Sequence, residues 1–230
     1  MPTGFRRTTA MQVAFATSSM LLLQIAAGSE RTYAPFSEYA MPQASEIALA
    51  RSAAPNPIST HATIEALTPQ GYQVAVKGDN DFVCMVLRSW SAAPDPGLTR
   101  YAKLRGPVCF DPIAARTVVP AEELKAKLGL AGKSPDEIAN EVAIQYGLGK
   151  LPKMEGAAFA YMWSASQNLG QNAGAWHPHM MVYVPYYENR LLGNNPVGKH
   201  TAPFAVADKT PYSIVMIPVD ERLAIKAADK

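Results

Sequence analysis

The stretch FVCMVLRSW, residues 82–90, is apolar on both sides of an extended chain. Successive side chains of a strand point to opposite faces, so the even-numbered residues from Phe82 to Val86 lie on one side and the odd-numbered residues from Val83 to Leu87 on the other. Apolar residues on both sides are typical of a strand inside a sheet that is covered on both faces. We therefore predict that this strand is internal, with other elements packed above and below it.

Two strands precede this segment. The runs ATIEAL (62–67) and YQVAVK (72–77) are separated by the turn residues Pro69-Gln70-Gly71, and GDND (78–81) supplies a second turn before residue 82. Short β-forming runs joined by Gly, Pro and Asp are typical of hairpins. The pattern predicts a three-stranded meander.

Two helices and further strands follow. PAEELKAKLGLAG (120–132) begins at a proline and ends at a glycine, whereas SPDEIANEVAIQYGLG (134–149) has Ser134 as a cap and Glu137 to complete a capping box. Strands are predicted in GAAFAYMWS (156–164), HMMVYVPYY (179–187) and YSIVMIPV (212–219). Strands, two central helices and strands again indicate a single α+β domain with a mainly antiparallel sheet.

The N-terminus has the layout of a secretory signal peptide. Arg6 and Arg7 precede an apolar stretch, and small residues follow at Ala26 and Ala27. The alternative is a membrane anchor, but polar residues leave the stretch short of the roughly 20 apolar residues that a spanning helix needs. We expect residues 1–27 to be removed, residues 28–57 to form an Ala/Pro-rich segment with a short helix, and residues 58–230 to form the α+β domain.

Loss of the leader would place the protein in the periplasm or outside the cell, with no membrane span after cleavage. Removal of Arg6 and Arg7 lowers the 21 basic residues to 19, equal to the 19 acidic residues. A chain without excess positive charge or a basic run lacks the electrostatic pattern that binds nucleic acid. Nucleic acid is therefore not an expected partner.

Cys84 and Cys109 are the two cysteines of the chain. An even number in an oxidising compartment indicates a disulfide, and two separate buried thiols are the alternative. Residues 91–112, SAAPDPGLTRYAKLRGPVCFDP, are interrupted by Pro and Gly and indicate a connection without a strand. The bond would tie this connection to the strand that carries Cys84, with Cα atoms about 4.4–6.8 Å apart.

A resemblance can be stated on these segments. GDNDFVCMVLRSW, RGPVCFDP and GAWHPHMMVYVP, in this order behind EIALARSAAP, resemble an uncharacterised family of exported bacterial proteins. The resemblance covers most of the chain after the leader and implies the same cysteine pair and His-Pro-His segment. It implies no activity, cofactor or structure.

The His-Pro-His segment is the clearest candidate for chemistry. In an extended chain His177 and His179 share a face with Tyr183, and two imidazoles at this spacing can share a divalent metal such as zinc. A third ligand would come from His61, His200, Glu188 or Asp111, none of which the sequence places beside the pair. The alternatives are histidines that are hydrogen-bonded at a strand start, and histidines that contact an organic ligand.

Two functions of different classes are compatible with these residues. The favoured one is a soluble exported protein that binds a small molecule or an envelope component, because no assembled catalytic motif is present. The other is a metal-dependent hydrolase at His177 and His179. In either case the predicted site is the loop 167–175 with the following strand start. The candidate ligand-binding residues are Asn172, Trp176, His177, His179 and Tyr183.

Overall fold

The computed structural model describes Met1 and residues 33–91, 101–154, 156–170, 177–197 and 201–228. From Tyr33 onward the described residues form an eight-stranded, mostly antiparallel sheet with six helices, which confirms the predicted α+β domain. The predicted leader lies outside the described residues except for Met1, and its cleavage stays a prediction. None of the described helices combines the length and apolar character needed to cross a membrane.

The elements follow one another as short N-terminal helices, strands, central helices and strands. The strands are β1 (Thr63–Thr68), β2 (Gly71–Val76), β3 (Val83–Leu87), β4 (Gly106–Phe110), β5 (Ala158–Met162), β6 (His179–Tyr183), β7 (Phe204–Val206) and β8 (Ile214–Pro218). The helices are α1 (Phe36–Tyr39), α2 (Gln43–Arg51), α3 (Asn56–Ser59), α4 (Pro112–Thr117), α5 (Val119–Leu130) and α6 (Pro135–Gly147). Helix α2 is the short helix expected in the Ala/Pro-rich segment.

The strand order is β2-β1-β3-β4-β5-β6-β8-β7. The first three strands are neighbours, as the meander predicts, but β1 lies in the middle and pairs with β3 in parallel. The remaining neighbours are antiparallel. The chain therefore leaves β2, crosses the start of β1 and enters β3 on the far side.

Gly78 makes this crossing possible. A Cβ atom at residue 78 would lie 2.2 Å from the His61 carbonyl oxygen, so no other residue fits without backbone movement. The next residue, Asp79, donates its backbone N–H to the same carbonyl at 2.9 Å. The crossing places β3 between β1 and β4, where its backbone can hydrogen-bond on both sides. This position is more favourable for an apolar strand than the edge of a sheet, where backbone groups are left unpaired.

Strand β3 is covered on both faces, as predicted. Cys84 and Val86 belong to a cluster with Leu49 and Ala50 of α2, whereas Met85 belongs to the larger core beneath α4–α6. All three β3 residues are fully buried. The two apolar faces of this one strand therefore join the two layers of helices through the sheet.

The prediction that residues 91–112 contain no strand is wrong. Gly106–Phe110 forms β4, fully buried between β3 and β5. Gly106 and Pro107 normally argue against an interior strand, but the apolar run that follows them is stabilised by burial on both faces. The Cys84–Cys109 disulfide is present. It joins two paired strands instead of a strand and a connection, because Cys84 and Cys109 face each other in the register. Its Cα atoms are 3.9 Å apart, closer than expected.

Helix α6 begins as the sequence predicts. The Ser134 hydroxyl accepts a hydrogen bond from the Glu137 N–H, and the Glu137 carboxylate accepts one from the Ser134 N–H, so the capping box is complete. Ile138 and Val142 are the buried residues of the helix. This cap fixes the end of α6 that borders the cavity described below.

A buried ion pair joins the N-terminal helices to the sheet. The Arg88 guanidinium, at the end of β3, lies 2.8 Å from Glu46 Oε1 of α2, and both side chains are at least 98% buried. Arg88 also donates to the carbonyls of Tyr39 and Val86, and Glu46 accepts the Leu67 N–H of β1 at 3.2 Å. One guanidinium and one carboxylate thus bind α1, α2, β1 and β3 together.

Replacing Glu46 by alanine would leave the Arg88 charge buried without its partner. We expect a loss of about 3–5 kcal/mol in the free energy of unfolding, which is typical when one member of a buried pair is removed. Urea unfolding followed by circular dichroism measures this.

The matched control is Glu188→Ala, which removes the carboxylate of the Glu188–Arg190 pair, whose arginine side chain is 62% exposed. Exposed pairs contribute less than about 1 kcal/mol. Equal losses in the two variants would contradict the central role of the Arg88–Glu46 pair.

Candidate functional site

The two histidines of the His-Pro-His segment have different environments. His179 is the first residue of β6 and lies on its buried face with Met181 and Tyr183, and its Nδ1 is 2.9 Å from the His177 carbonyl oxygen. His177 lies before the strand, is partly exposed, and its Nδ1 is 2.8 Å from Glu221 Oε1. The ring of His179 therefore faces the core, whereas that of His177 contacts the Glu221 carboxylate near the surface.

The candidate third ligands do not meet this pair. Strand β6 is antiparallel to β1 and parallel to β4. The start of β1, preceded by His61, and the end of β4, followed by Asp111, are therefore on the side of the sheet where β6 ends, whereas the two histidines lie where β6 begins. Glu188 also follows the end of β6 and pairs with Arg190, and His61 pairs with Asp79. His200 lies outside the described residues. Among the residues that the structure describes, no group of three or more His, Cys, Asp or Glu could hold a metal ion.

The predicted recognition loop is described only in part. Asn168 pairs with Arg105 through two backbone hydrogen bonds of 2.7 and 2.8 Å, and its side-chain amide donates to the Tyr101 hydroxyl at 3.0 Å. Asn172 and Trp176 lie outside the described residues. Their role in binding, and that of His177 and His179, stays a prediction.

The fold forms a cavity of about 460 Å³ between helices α5 and α6 and the β6–β8–β7 end of the sheet. Tyr183 of β6, which was among the predicted binding residues, is part of its floor. Most of the other lining residues are apolar or aromatic. The strands β7 and β8 and the loop between them contribute Val206, Ala207, Tyr212 and Ile214. Helices α5 and α6 contribute Ala121, Glu122, Lys125, Pro135, Asp136, Ile138, Ala139, Val142 and Tyr146, and the lining is completed by Tyr33, Trp90, Ser91, Val118 and Met154.

The aromatic side chains fix the walls of the cavity. Tyr146 of α6 stacks on Tyr212 with ring centroids 6.1 Å apart, and Trp90 packs against Tyr33 and Tyr39 at 6.1 and 4.8 Å. Trp90 also covers Gly129 of α5, where a Cβ atom would lie 2.8 Å from the indole ring. A preformed apolar space with rigid aromatic walls is typical of small-molecule sites.

One charged pair lies in this lining. Lys125 Nζ is 2.7 Å from Glu122 Oε1, and the Glu122 side chain is only 9% exposed. Burial raises the pKa of Tyr146 to about 12 and that of Tyr183 well above its usual range, and the negative charge of Glu122 adds to both shifts. The Glu122 carboxylate therefore helps to keep both tyrosine hydroxyls of the cavity protonated.

Sequence reasoning missed most of this site. The useful signal is the run Val118, Glu122, Ala126 and Gly129, whose spacing places an acidic residue on the buried face of α5. A charged residue in that position is unusual unless it is paired or functional. Trp90, Tyr146 and Tyr212 come from three separate segments, so no local pattern joins them.

No protein-family model, no curated protein and no solved structure matches this chain. The resemblance to exported bacterial proteins is therefore not tested by these comparisons.

In the described part of the chain, one more carboxylate besides Glu46 and Glu122 is buried, and it lies outside the cavity. Glu65 of β1 is 7% exposed, and its Oε2 has no hydrogen-bond partner among the described residues. Burial, and then repulsion from Glu123, raises its pKa to about 7, although Lys127 acts in the opposite direction. The folded state therefore favours the protonated form of Glu65.

This shift predicts a pH-dependent stability. A folded pKa above the unfolded value stabilises the protein fully below pH 4.5, and that stabilisation is lost as the pH rises through about 7. Glu65→Gln should therefore match the wild type at pH 4 and exceed its free energy of unfolding at pH 8 by up to about 3 kcal/mol. Urea unfolding at several pH values measures the difference, with exposed Glu38→Gln as the control. A difference independent of pH would contradict the assignment.

Proposed function

We propose that this protein binds a small, mostly apolar molecule in the cavity between α5, α6 and the β6–β8–β7 end of the sheet, and that it does so in the periplasm or outside the cell. The observation that carries the proposal is the cavity itself. Its volume of about 460 Å³ is within the range of small-molecule sites, and its lining is mostly aliphatic and aromatic.

The composition of the lining supports binding over catalysis. The described lining residues include no histidine or cysteine, and their one buried acid, Glu122, is paired with Lys125. Walls of this kind supply dispersion contacts and exclude water, whereas a nucleophile with a neighbouring base is what most hydrolytic reactions require. The histidine pair at the other end of β6 supplies neither group to this space.

The structural support of the cavity favours a preformed site. Helix α6 begins at a complete capping box, and the Tyr146–Tyr212 stack connects the helix to the loop before β8. A site with fixed walls loses less conformational entropy when a ligand binds than one that must first close. This arrangement is suited to reversible uptake and release.

Binding is tested with N-phenyl-1-naphthylamine, a neutral dye whose fluorescence increases in apolar surroundings. We expect a saturable increase with one dye per chain. Ala139→Trp places a large ring at an exposed position that lines the cavity, and should weaken binding by about tenfold or more, equivalent to about 1.4 kcal/mol.

The control for this experiment is Asn140→Trp. It adds the same side chain one residue further along α6, at an exposed position that is not among the lining residues. Equal dye binding by the wild type and both variants would contradict the cavity as the site. Absence of dye binding to the wild type would contradict the proposed function.

The proposed compartment rests on the leader pattern and is compatible with the Cys84–Cys109 disulfide. Mass spectrometry of the protein made from its full sequence should find a mature N-terminus near Gly28 and no free thiol. A mature N-terminus at Met1 with two free thiols would contradict export.

A further inference from the structure

A second pocket lies on the α2 side of the sheet, opposite the side that bears the apolar cavity. Its volume is about 290 Å³, and it is lined by α2, α3 and the segment 225–228 near the C-terminus. Ile47 and Ile225 belong to its apolar wall. We call this space the α2 pocket. It shares no lining residue with the cavity among the residues that the structure describes, so its chemistry is separate.

The charged residues that line the α2 pocket are both cationic. Arg51 is the last residue of α2, and Lys226 lies in the C-terminal segment. The described lining includes neither aspartate nor glutamate. A cleft that carries one sign of charge attracts ligands of the opposite sign. The pocket is therefore suited to an anion.

The Arg51 guanidinium is available to a ligand. It has no ion pair and no hydrogen bond with any other described residue. Only its Nε combines this lack of a partner with complete burial, so the two terminal nitrogens keep accessible surface. Arg88 and Arg105, by contrast, donate to acceptors within the protein. Terminal guanidinium nitrogens are suited to bind a carboxylate or a phosphate through two parallel hydrogen bonds.

The Ser59 hydroxyl supplies a further donor from the wall of the pocket. Ser59 is only 2% exposed and lines the pocket, and its Oγ has no hydrogen-bond partner in the described part of the chain. Unlike Arg51 Nε, this oxygen is not completely covered, so the small remaining surface of the residue includes it. The exposed side-chain amide of Asn56, in the same short helix, is also unpaired and lines the pocket. The pocket therefore combines two cations with neutral donors that a ligand can reach.

The segment that follows β5 brings these groups together. The Trp163 N–H donates to the Ala53 carbonyl just after α2 at 3.0 Å, and the hydroxyls of Ser164 and Ser52 are 2.6 Å apart. The Ile225 N–H donates to the Trp163 carbonyl at 2.8 Å. The end of α2 and the C-terminal segment are thus fixed to the same short stretch of chain. The fold thereby places two cations from distant parts of the sequence in one pocket.

We propose that the α2 pocket binds a small molecule through an oxyanion group, a carboxylate or a phosphate. The terminal nitrogens of Arg51 bind the oxyanion, Lys226 adds a second positive charge, and Ser59 donates a hydrogen bond. The bound anion also removes the repulsion between the two cations. The volume of about 290 Å³ is near the lower limit for small-molecule sites, so the ligand is small. This site is independent of the apolar cavity, and either proposal can fail without the other.

Four small polar probes test the charge of the ligand and the identity of its oxyanion: inorganic phosphate, succinate, neutral succinamide and cationic 1,4-diaminobutane. The last three share a four-carbon chain, and none of the four is suited to the apolar cavity. Each is titrated by isothermal titration calorimetry at constant ionic strength, because added salt alone screens charges. We expect phosphate or succinate to bind at one site per chain, about tenfold or more tighter than succinamide. The anion that binds more tightly identifies the oxyanion as phosphate or carboxylate.

Variants of the lining assign the anion to this pocket. Arg51→Met removes the guanidinium and should weaken anion binding by about tenfold or more, whereas Arg51→Lys keeps the charge and should retain part of the affinity. Ser59→Ala removes one donor and should weaken binding about fivefold. The control is Lys150→Met, which removes a positive charge at an exposed position outside the lining and should leave anion binding unchanged.

The dye that tests the apolar cavity also tests the fold of these variants. Arg51→Met should bind N-phenyl-1-naphthylamine as the wild type does, since Arg51 has no protein partner to lose. If this variant fails to fold, Ser59→Ala decides, and unchanged anion binding by Ser59→Ala overturns the assignment. The proposal is also overturned if neither anion binds the wild type more tightly than succinamide, or if 1,4-diaminobutane binds best.

Discussion

The buried Arg88–Glu46 pair is the constraint on which the arrangement of this protein depends. Arg88 is the first residue after β3, and β3 is the strand whose two faces join both helical layers. A guanidinium with no exposed surface must find its hydrogen bonds within the protein, so α1, α2 and β1 have to approach the end of β3 in one geometry. The next residues, Ser89 to Ser91, then carry Trp90 to the edge of the cavity. The position of one wall of the proposed site thus follows from the position of a buried charge.

Strand β6 shows why the predicted site and the cavity are separate. His179 and Tyr183 lie on the same buried face, as the alternation of the sequence predicts. They are at opposite ends of the strand, however, roughly 13 Å apart by the rise per residue. Tyr183, at the end of β6, borders the cavity, whereas His179, at its start, lies near the contact between His177 and Glu221. The two residues share a face of the strand, but they are too far apart to contact the same small ligand.

The sequence predicts the periodic and locally capped elements well. Alternation is a property of consecutive residues, so both covered faces of β3 follow from residues 82–87, and the Ser134–Glu137 capping box follows from four residues. It does not predict β4, because Gly106 and Pro107 are ordinarily strand breakers and only their burial between two neighbours overrides that tendency. The parallel pairing of β1 and β3 depends on a close backbone contact at Gly78, which no residue pattern signals. The cavity is the least predictable feature, since its lining comes from segments far apart in the chain and the position of Glu122 on the buried face of α5 is the one local signal of it.

The disulfide has a consequence for how the sheet is assembled. Cys84 and Cys109 are register partners in β3 and β4. A slip of one residue between the strands would turn one sulfur towards the α2 side of the sheet and the other towards the α4–α6 side, because neighbouring positions of a strand face opposite ways. The bond is therefore compatible with the paired sheet only when β3 and β4 are in this register, and it prevents a slip by one residue. The disulfide thus specifies the register of these two internal strands covalently, in addition to the hydrogen bonds between them.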